Sequence, residues 1–302
     1  IEAVTGVQTC ALPISFAEAR QYGLDFEKKL NVTSLADLRS LSAIAINDAQ
    51  PFYLDQDPGV TGFAPSIDDY VIPIVPGQAF YDGKQMKIPL LAGFNAREEY
   101  LFEGNALPHA TAAQFESAAK ILFGSRMPEF LSLFPDNTPA LLNSSSDALV
   151  GSLYIREQTW EAANTHCQTT GEPVFAYYYN YTSAYEPIAS HTAEEPFVFG
   201  NLLNNPILGS FQPAGPQDKL FSKQVMGYWT NFAKSGNPNG YRSGLTTWPA
   251  HGSNCAQFIE LSSTITSTTL EPLLLKQLGF IGSFRTNGVL PASWRQLSTV
   301  GV

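Results

Sequence analysis

The chain has 302 residues, 44% of them hydrophobic and 15% charged, a balance that supports one large or two ordinary folded domains and excludes a disordered polypeptide. Its formal net charge is −10 with 17 basic residues and no Lys/Arg cluster, which argues against nucleic acid as a partner. No apolar run reaches the roughly 18 residues of a membrane span, so none is expected.

Val4 to Ser15 reads VTGVQTCALPIS, which resembles the in-frame translation of a sequencing adapter. Residues 1–15 are therefore set aside as a non-native segment, Cys10 among them. Phe16, Leu24, Phe26 and Leu30 recur among charges and predict a surface-packed helix, and Ser34 with Asp37 reads as the N-cap of a second short one. Pro51 to Gly83 is rich in Pro, Gly and Asp, which favours turns and short strands over helix. Ile88 to Phe94 is a compact apolar run ending at Asn95, the pattern of a buried strand that delivers its C-terminal neighbours to a site.

Helical periodicity follows over Thr111 to Phe123 and Ser125 to Phe134, with Pro135 as a stop, and a longer helix is expected from Asp147 to about Cys167. Pro173 to Tyr181, PVFAYYYNY, is dense in β-formers and predicts the next strand, with Tyr177 to Tyr179 on its surface. His191 lies on the loop beyond it, and Phe197, Val198 and Phe199 read as core packing. Lys219 to Lys234 has helical spacing broken by Gly236-Asn237-Pro238. Ala256 to Leu261 reads as a last strand, with a short helix near Leu273. Strand, helical crossover, strand and helix imply an α/β sheet with right-handed connections, whose sites form beyond the carboxyl ends of the strands. Glu98 and His191 both fall there.

These residue types suit acyl transfer. A serine hydroxyl is a weak nucleophile, so attack on an ester needs an imidazole to take its proton and later pass it to the leaving alcohol. His191 is the candidate base. A carboxylate must hold that ring in one tautomer, and Glu98 and Glu99 compete for the role because neighbours at a strand end point in opposite directions. No GxSxG nucleophile motif occurs in the 302 residues. His109, His166 and His251 are separated and lack metal-site spacing, so neither metal nor cofactor is implied. Cys167 and Cys255 are too few to be a disulfide framework. Three sequons, at Asn31, Asn143 and Asn180, suit a glycosylated, secreted protein.

Three segments carry a resemblance. LLAGFNAREE, at Leu90 to Glu99, is similar to the type B carboxylesterase (cholinesterase-like) pattern in which a Gly-x-Asn strand end precedes the acid of a Ser-His-Glu triad. HTAEEPFVFGN, at His191 to Asn201, resembles that family's histidine motif, and Asp218 to Gly240, followed by Trp248-Pro249, resembles its C-terminal helix and Gly-Asn-Pro stop. The likeness runs from about Phe16 to Leu261. It favours Glu98 as the acid with Glu99 as the alternative, and it makes Glu194 a supporting carboxylate near the serine and histidine. Two positions depart from the pattern: Glu99 stands where the family has Gly, and Arg97 where it has Asp.

The resemblance implies an α/β-hydrolase fold with its N-terminal part missing, residues 16–302 being the C-terminal part of one domain: a mostly parallel sheet with helical insertions. The intact protein would be a serine hydrolase of small-molecule carboxylic esters. Its nucleophile and oxyanion hole would lie upstream of residue 1, together with any signal peptide, and the chain alone would be inactive, poorly stable and prone to aggregate along an exposed strand edge. The alternative is a non-catalytic adhesion or binding module, since the fold also serves relatives that have lost the triad. A two-carboxylate glycosidase using Glu98 and Glu194 would leave His191 without a role.

Overall fold

The computed structural model describes residues 14–49, 65–101, 107–203, 212–240, 244–252, 256–291 and 294. It opens with β1 (Ile14–Ser15), which pairs in parallel with β2 (Ser66–Ile67). Ser15 caps α1 (Phe16–Lys29): its Oγ accepts the Glu18 N–H at 3.2 Å while the Glu18 carboxylate accepts the Ser15 N–H at 2.7 Å. The apolar residues of α1 do not enter a core, Phe16 and Leu24 being exposed. The expected cap holds at α2 (Leu35–Ser40), where Ser34 Oγ accepts the Asp37 N–H at 3.1 Å, and α3 (Ala43–Ala49) follows. Residues 51–64 of the Pro/Gly-rich excursion lie outside the described residues. Its later part contains an unforeseen helix, α4 (Pro76–Tyr81), because a Pro at the first helical position loses no hydrogen bond and arrives with a helical φ.

The sheet runs in the order β3 (Leu90–Asn95), β4 (Val174–Tyr179), β5 (Phe258–Leu261), β6 (Thr266–Thr268). The first three are parallel, and β6, which the sequence did not reveal, returns antiparallel on β5. The β3-to-β4 crossover is helical: α5 (Ala112–Phe123), α6 (Met127–Leu133), α7 (Pro139–Gly151) and α8 (Glu157–Thr170). A π turn, Ser152–Arg156, joins the last two, so the long helix expected from Asp147 begins much earlier, capped at Thr138 with Pro139 in its first turn. Between β4 and β5 come α9 (Glu195–Phe199) and α10 (Pro216–Ser235), and α11 (Pro272–Gly282) follows β6.

Alternation along the strands puts a large apolar core on each face of the sheet, with Leu90, Ala92, Ala163 and Val174 as a smaller third cluster. Phe94, Ala176 and Phe258 face the crossover helices and α11, packing with Phe115, Phe123, Phe130, Leu153 and Phe280. Phe175, Tyr177, Tyr179, Ile259 and Leu261 face α10, with Phe221, Val225, Tyr228 and Trp248. Tyr177 and Tyr179 are therefore core rather than strand surface, as expected once helices cover both faces of a parallel sheet. Phe197 is fully buried as anticipated, but Phe199, at the last turn of α9, is 69% exposed. Gly93 is a packing requirement: a Cβ there would come within 2.3 Å of Tyr177, so the β3–β4 approach at this register admits no side chain. Among the described residues β3 ends the sheet, and its alternate side chains Leu90, Ala92 and Phe94 are buried.

Candidate active site

The two candidate chemical groups come from adjacent parallel strands. After β3 the chain passes Ala96 and Arg97 into a 3-10 turn, Glu98–Leu101, so the acids stand on a turn and not on a strand end. After β4 it loops back, and the Arg97 N–H donates to Ala189 O at 2.9 Å, with Arg97 and Ser190 forming a parallel bridge. That stitch brings the histidine loop against the acid turn. Thr192 sits at φ 69, a left-handed conformation that turns the chain sharply after His191.

His191 Nδ1 lies 2.7 Å from Glu98 Oε2. Since a carboxylate only accepts, this contact assigns the Nδ1 proton to the ring, donated to Glu98. The other oxygen, Glu98 Oε1, accepts the Asn95 N–H at 2.6 Å. Glu98 is 2% exposed, so the interaction is shielded from water on the acid side.

Glu99, equally buried, turns away from the ring. It accepts from the buried Arg156 guanidinium on the π turn and from Arg97, which also approaches Asp147 at 3.6 Å. The two departures from the family pattern thus answer one another: Arg97 and Glu99 pair, and Arg156 completes the cluster. Gly151 leaves the room, because a Cβ there would come within 2.5 Å of Arg156 and 2.8 Å of Glu99.

Glu194 faces the same centre. It accepts from Asn95 Nδ2 and, at 3.2 Å, from the Tyr177 hydroxyl. Burial holds its carboxyl above the usual range, the Glu98 charge adds to this, and the Asn95 hydrogen bond opposes it. Burial likewise raises the Tyr177 phenol well above its usual value, reinforced by Glu194 and Glu98. Glu195 is exposed.

Of the residues singled out from sequence, His191, Glu98 and Glu194 converge here and Glu99 supports the acid turn from behind. Asn95, Tyr177 and Arg156 were missed as site residues, although Asn95 stands inside the motif that points to Glu98. The remaining imidazoles are engaged elsewhere: His109 Nδ1 with Leu107 O, His166 Nε2 with Ile88 O, and His251 with Gln257 O and Asn164 Oδ1. Cys167 Sγ donates to Gly252 O, and Cys255 lies outside the described residues. Asn31, Asn143 and Asn180 are all exposed.

The sequence profile of the Carboxylesterase family matches residues 7–273, most of the chain. The chain belongs to the carboxylesterase family. Its match begins inside the segment set aside at the N-terminus. Among curated relatives, the Bacillus subtilis para-nitrobenzyl esterase is 28% identical over 206 residues, covering 68% of this chain and 40% of that protein. Carboxylesterase 5A of Canis lupus familiaris is 27% identical over 229 residues, covering 70% of this chain and 39% of that protein. Among solved structures, Aspergillus niger EstA superposes with a TM-score of 0.68 at 19% identity, covering 91% of this chain and 56% of that one, which shows the α/β-hydrolase fold. This carboxylesterase-family chain spans about two fifths of the length of the curated relatives it matches. Among the described residues no helix is long and apolar enough to cross a membrane.

Proposed function

We propose that the chain supplies the base and the acid of a serine-type carboxylic-ester hydrolase, His191 and Glu98 being its catalytic pair. The observation that carries the reading is the 2.7 Å contact from His191 Nδ1 to a carboxylate that is itself buried and held by a backbone N–H. With Nδ1–H committed to Glu98, the neutral ring presents Nε2 as the basic nitrogen. It would take the serine proton as the ester carbonyl is attacked, then return it to the departing alkoxide, leaving an acyl-enzyme that water cleaves by the same route. Glu98 stabilises the imidazolium formed in each half-reaction without itself taking the proton.

No GxSxG occurs in the 302 residues, and the relatives are much longer. The reading therefore assigns the nucleophile to polypeptide outside this sequence, takes residues 16–302 as the C-terminal part of one domain, and expects no turnover from the chain alone. Exposure of Asn31, Asn143 and Asn180 suits a glycosylated, secreted protein. Small-molecule carboxylic esters are the substrate class. A fluorophosphonate should label a longer form that carries a GxSxG segment upstream and leave residues 1–302 unlabelled. Turnover of an aryl ester by residues 1–302, abolished by His191→Ala, would overturn the placement of the nucleophile. Gly or Ala at the elbow of the longer form would instead favour the adhesion-module reading.

A further inference from the structure

Asn95, the last residue of β3, is 1% exposed and bonds to three parts of the pair's surroundings at once. Its backbone N–H holds Glu98 Oε1 at 2.6 Å, the oxygen that His191 does not use. Its side-chain Nδ2 donates to Ser190 O at 2.6 Å, the carbonyl directly before His191, and to Glu194 Oε2. Both amide hydrogens are therefore spent on acceptors from the loop that carries the imidazole. The opposite amide orientation would set Oδ1 against a carbonyl and a carboxylate, so the partners fix which way the group faces.

Together with the Arg97 N–H on Ala189 O, this pins two consecutive carbonyls of the histidine loop from the acid side. Asn95 Oδ1 is left buried with no hydrogen-bond partner among the described residues. An apolar side chain would fill the same space without burying an unpaired oxygen, so the amide is accounted for by its two donors and not by packing.

We infer that Asn95 is a positioning residue for the imidazole–carboxylate pair, clamping the acid turn to the histidine loop and tying Glu194 to both. The inference rests on the reading of His191 and Glu98 as that pair. No other residue of this size suits the position. Asp would repel Ser190 O and Glu194, Leu donates nothing, and a catalytic imidazole tolerates only small displacements from its working geometry.

The test uses the longer form that carries a GxSxG segment upstream of these 302 residues, with two variants, Asn95→Ala and the isosteric Asn95→Asp. The readouts are the downfield Nδ1–H resonance of His191 and the midpoint of its ring titration, both by NMR, with a thermal melt of each protein. In Asn95→Ala the resonance should broaden or vanish, and the midpoint should fall as the ring, no longer held through Ser190 O, loses its alignment with Glu98. In Asn95→Asp the resonance should also be lost. A resonance missing from the parent chain counts against the His191–Glu98 pair itself and so against the proposed function. A resonance and midpoint unchanged in whichever variants fold overturn the clamp alone and leave the pair standing. If neither variant melts cooperatively, the amide is holding the domain and not the imidazole, and the clamp is again overturned.

Discussion

Glu98 Oε2 and His191 Nδ1 meet at 2.7 Å although 93 positions separate them in the chain. Two parallel strands bring this about. β3 and β4 pair in register from Leu90 with Val174 to Asn95 with Tyr179, so the segments that leave their carboxyl ends emerge side by side. The acid needs only the short turn at Glu98, and the base arrives on a loop sewn back to Arg97.

Glu98→Gln keeps the shape of the contact and removes its charge. The imidazolium loses the partner that favours it, so the His191 titration midpoint should fall, read from its ring protons by NMR. In a completed enzyme the analogous change in a serine protease triad costs about 10⁴-fold in turnover. A midpoint that does not move would mean that Glu98 is not the ring's electrostatic partner.

Glu99→Gln should act on stability and leave the ring alone. Glu99 and Arg156 are both buried, and removing one charge strands the other, at a cost of roughly 3–5 kcal/mol in urea unfolding. Arg97 is half exposed and adds little. Replacing the buried partners together, as Glu99→Leu with Arg156→Met, should recover most of the loss. A His191 midpoint shifted as far as in Glu98→Gln would show that the two glutamates share the role of acid.

The site was legible in the sequence to the extent that its parts lie within short segments. The apolar run before Asn95 and the β-formers of Pro173 to Tyr181 mark strands by composition, and both are found, trimmed at their ends. Which of Glu98 and Glu99 faces His191 was not open to spacing, because Glu99 is held away from the ring by Arg156, which lies 57 positions beyond it on a π turn with no local sequence signature. Tyr177 was misread for a related reason. A continuous run of β-formers has no polar alternation to say which face is wet, and here α10 covers the face it occupies. The strand Thr266–Thr268 is short and polar, and only its pairing with β5 makes it a strand.

Glu186, on the loop leading to His191, is fully buried, and neither of its oxygens has a well-aligned hydrogen-bond partner among the described residues. Burial pushes its carboxyl up to about 7 from an ordinary 4.5, against a weaker opposing pull from the Ile188 backbone N–H. Because the folded-state value is the higher one, stability is full below the unfolded value and falls as pH rises through 7. Glu186→Gln should remove that slope, so the variant gains over the parent at pH 8 and not at pH 4.5. Urea unfolding at the two pH values measures it, and parallel curves for the two proteins would show that the buried charge costs nothing.

Arg285 makes the opposite case, a buried carboxylate that does have a partner. Its guanidinium grips Glu157 through two bonds, of 2.8 and 2.5 Å, and Glu157 is completely buried at the start of α8. Even so paired, burial outweighs Arg285 and leaves the Glu157 carboxyl above its usual range. Arg285→Met removes the attraction that lowers it, so the folded-state value climbs further and the acid must either take a proton or sit charged in the interior. The loss should therefore be smaller at pH 5, where protonation is cheap, and approach 3–5 kcal/mol at pH 8. Adding Glu157→Leu to Arg285→Met should erase the pH dependence and restore much of the stability, since the stranded charge is gone. A single variant equally destabilised at both pH values would instead trace the effect to lost packing and to the Arg285 bond on Gly288 O.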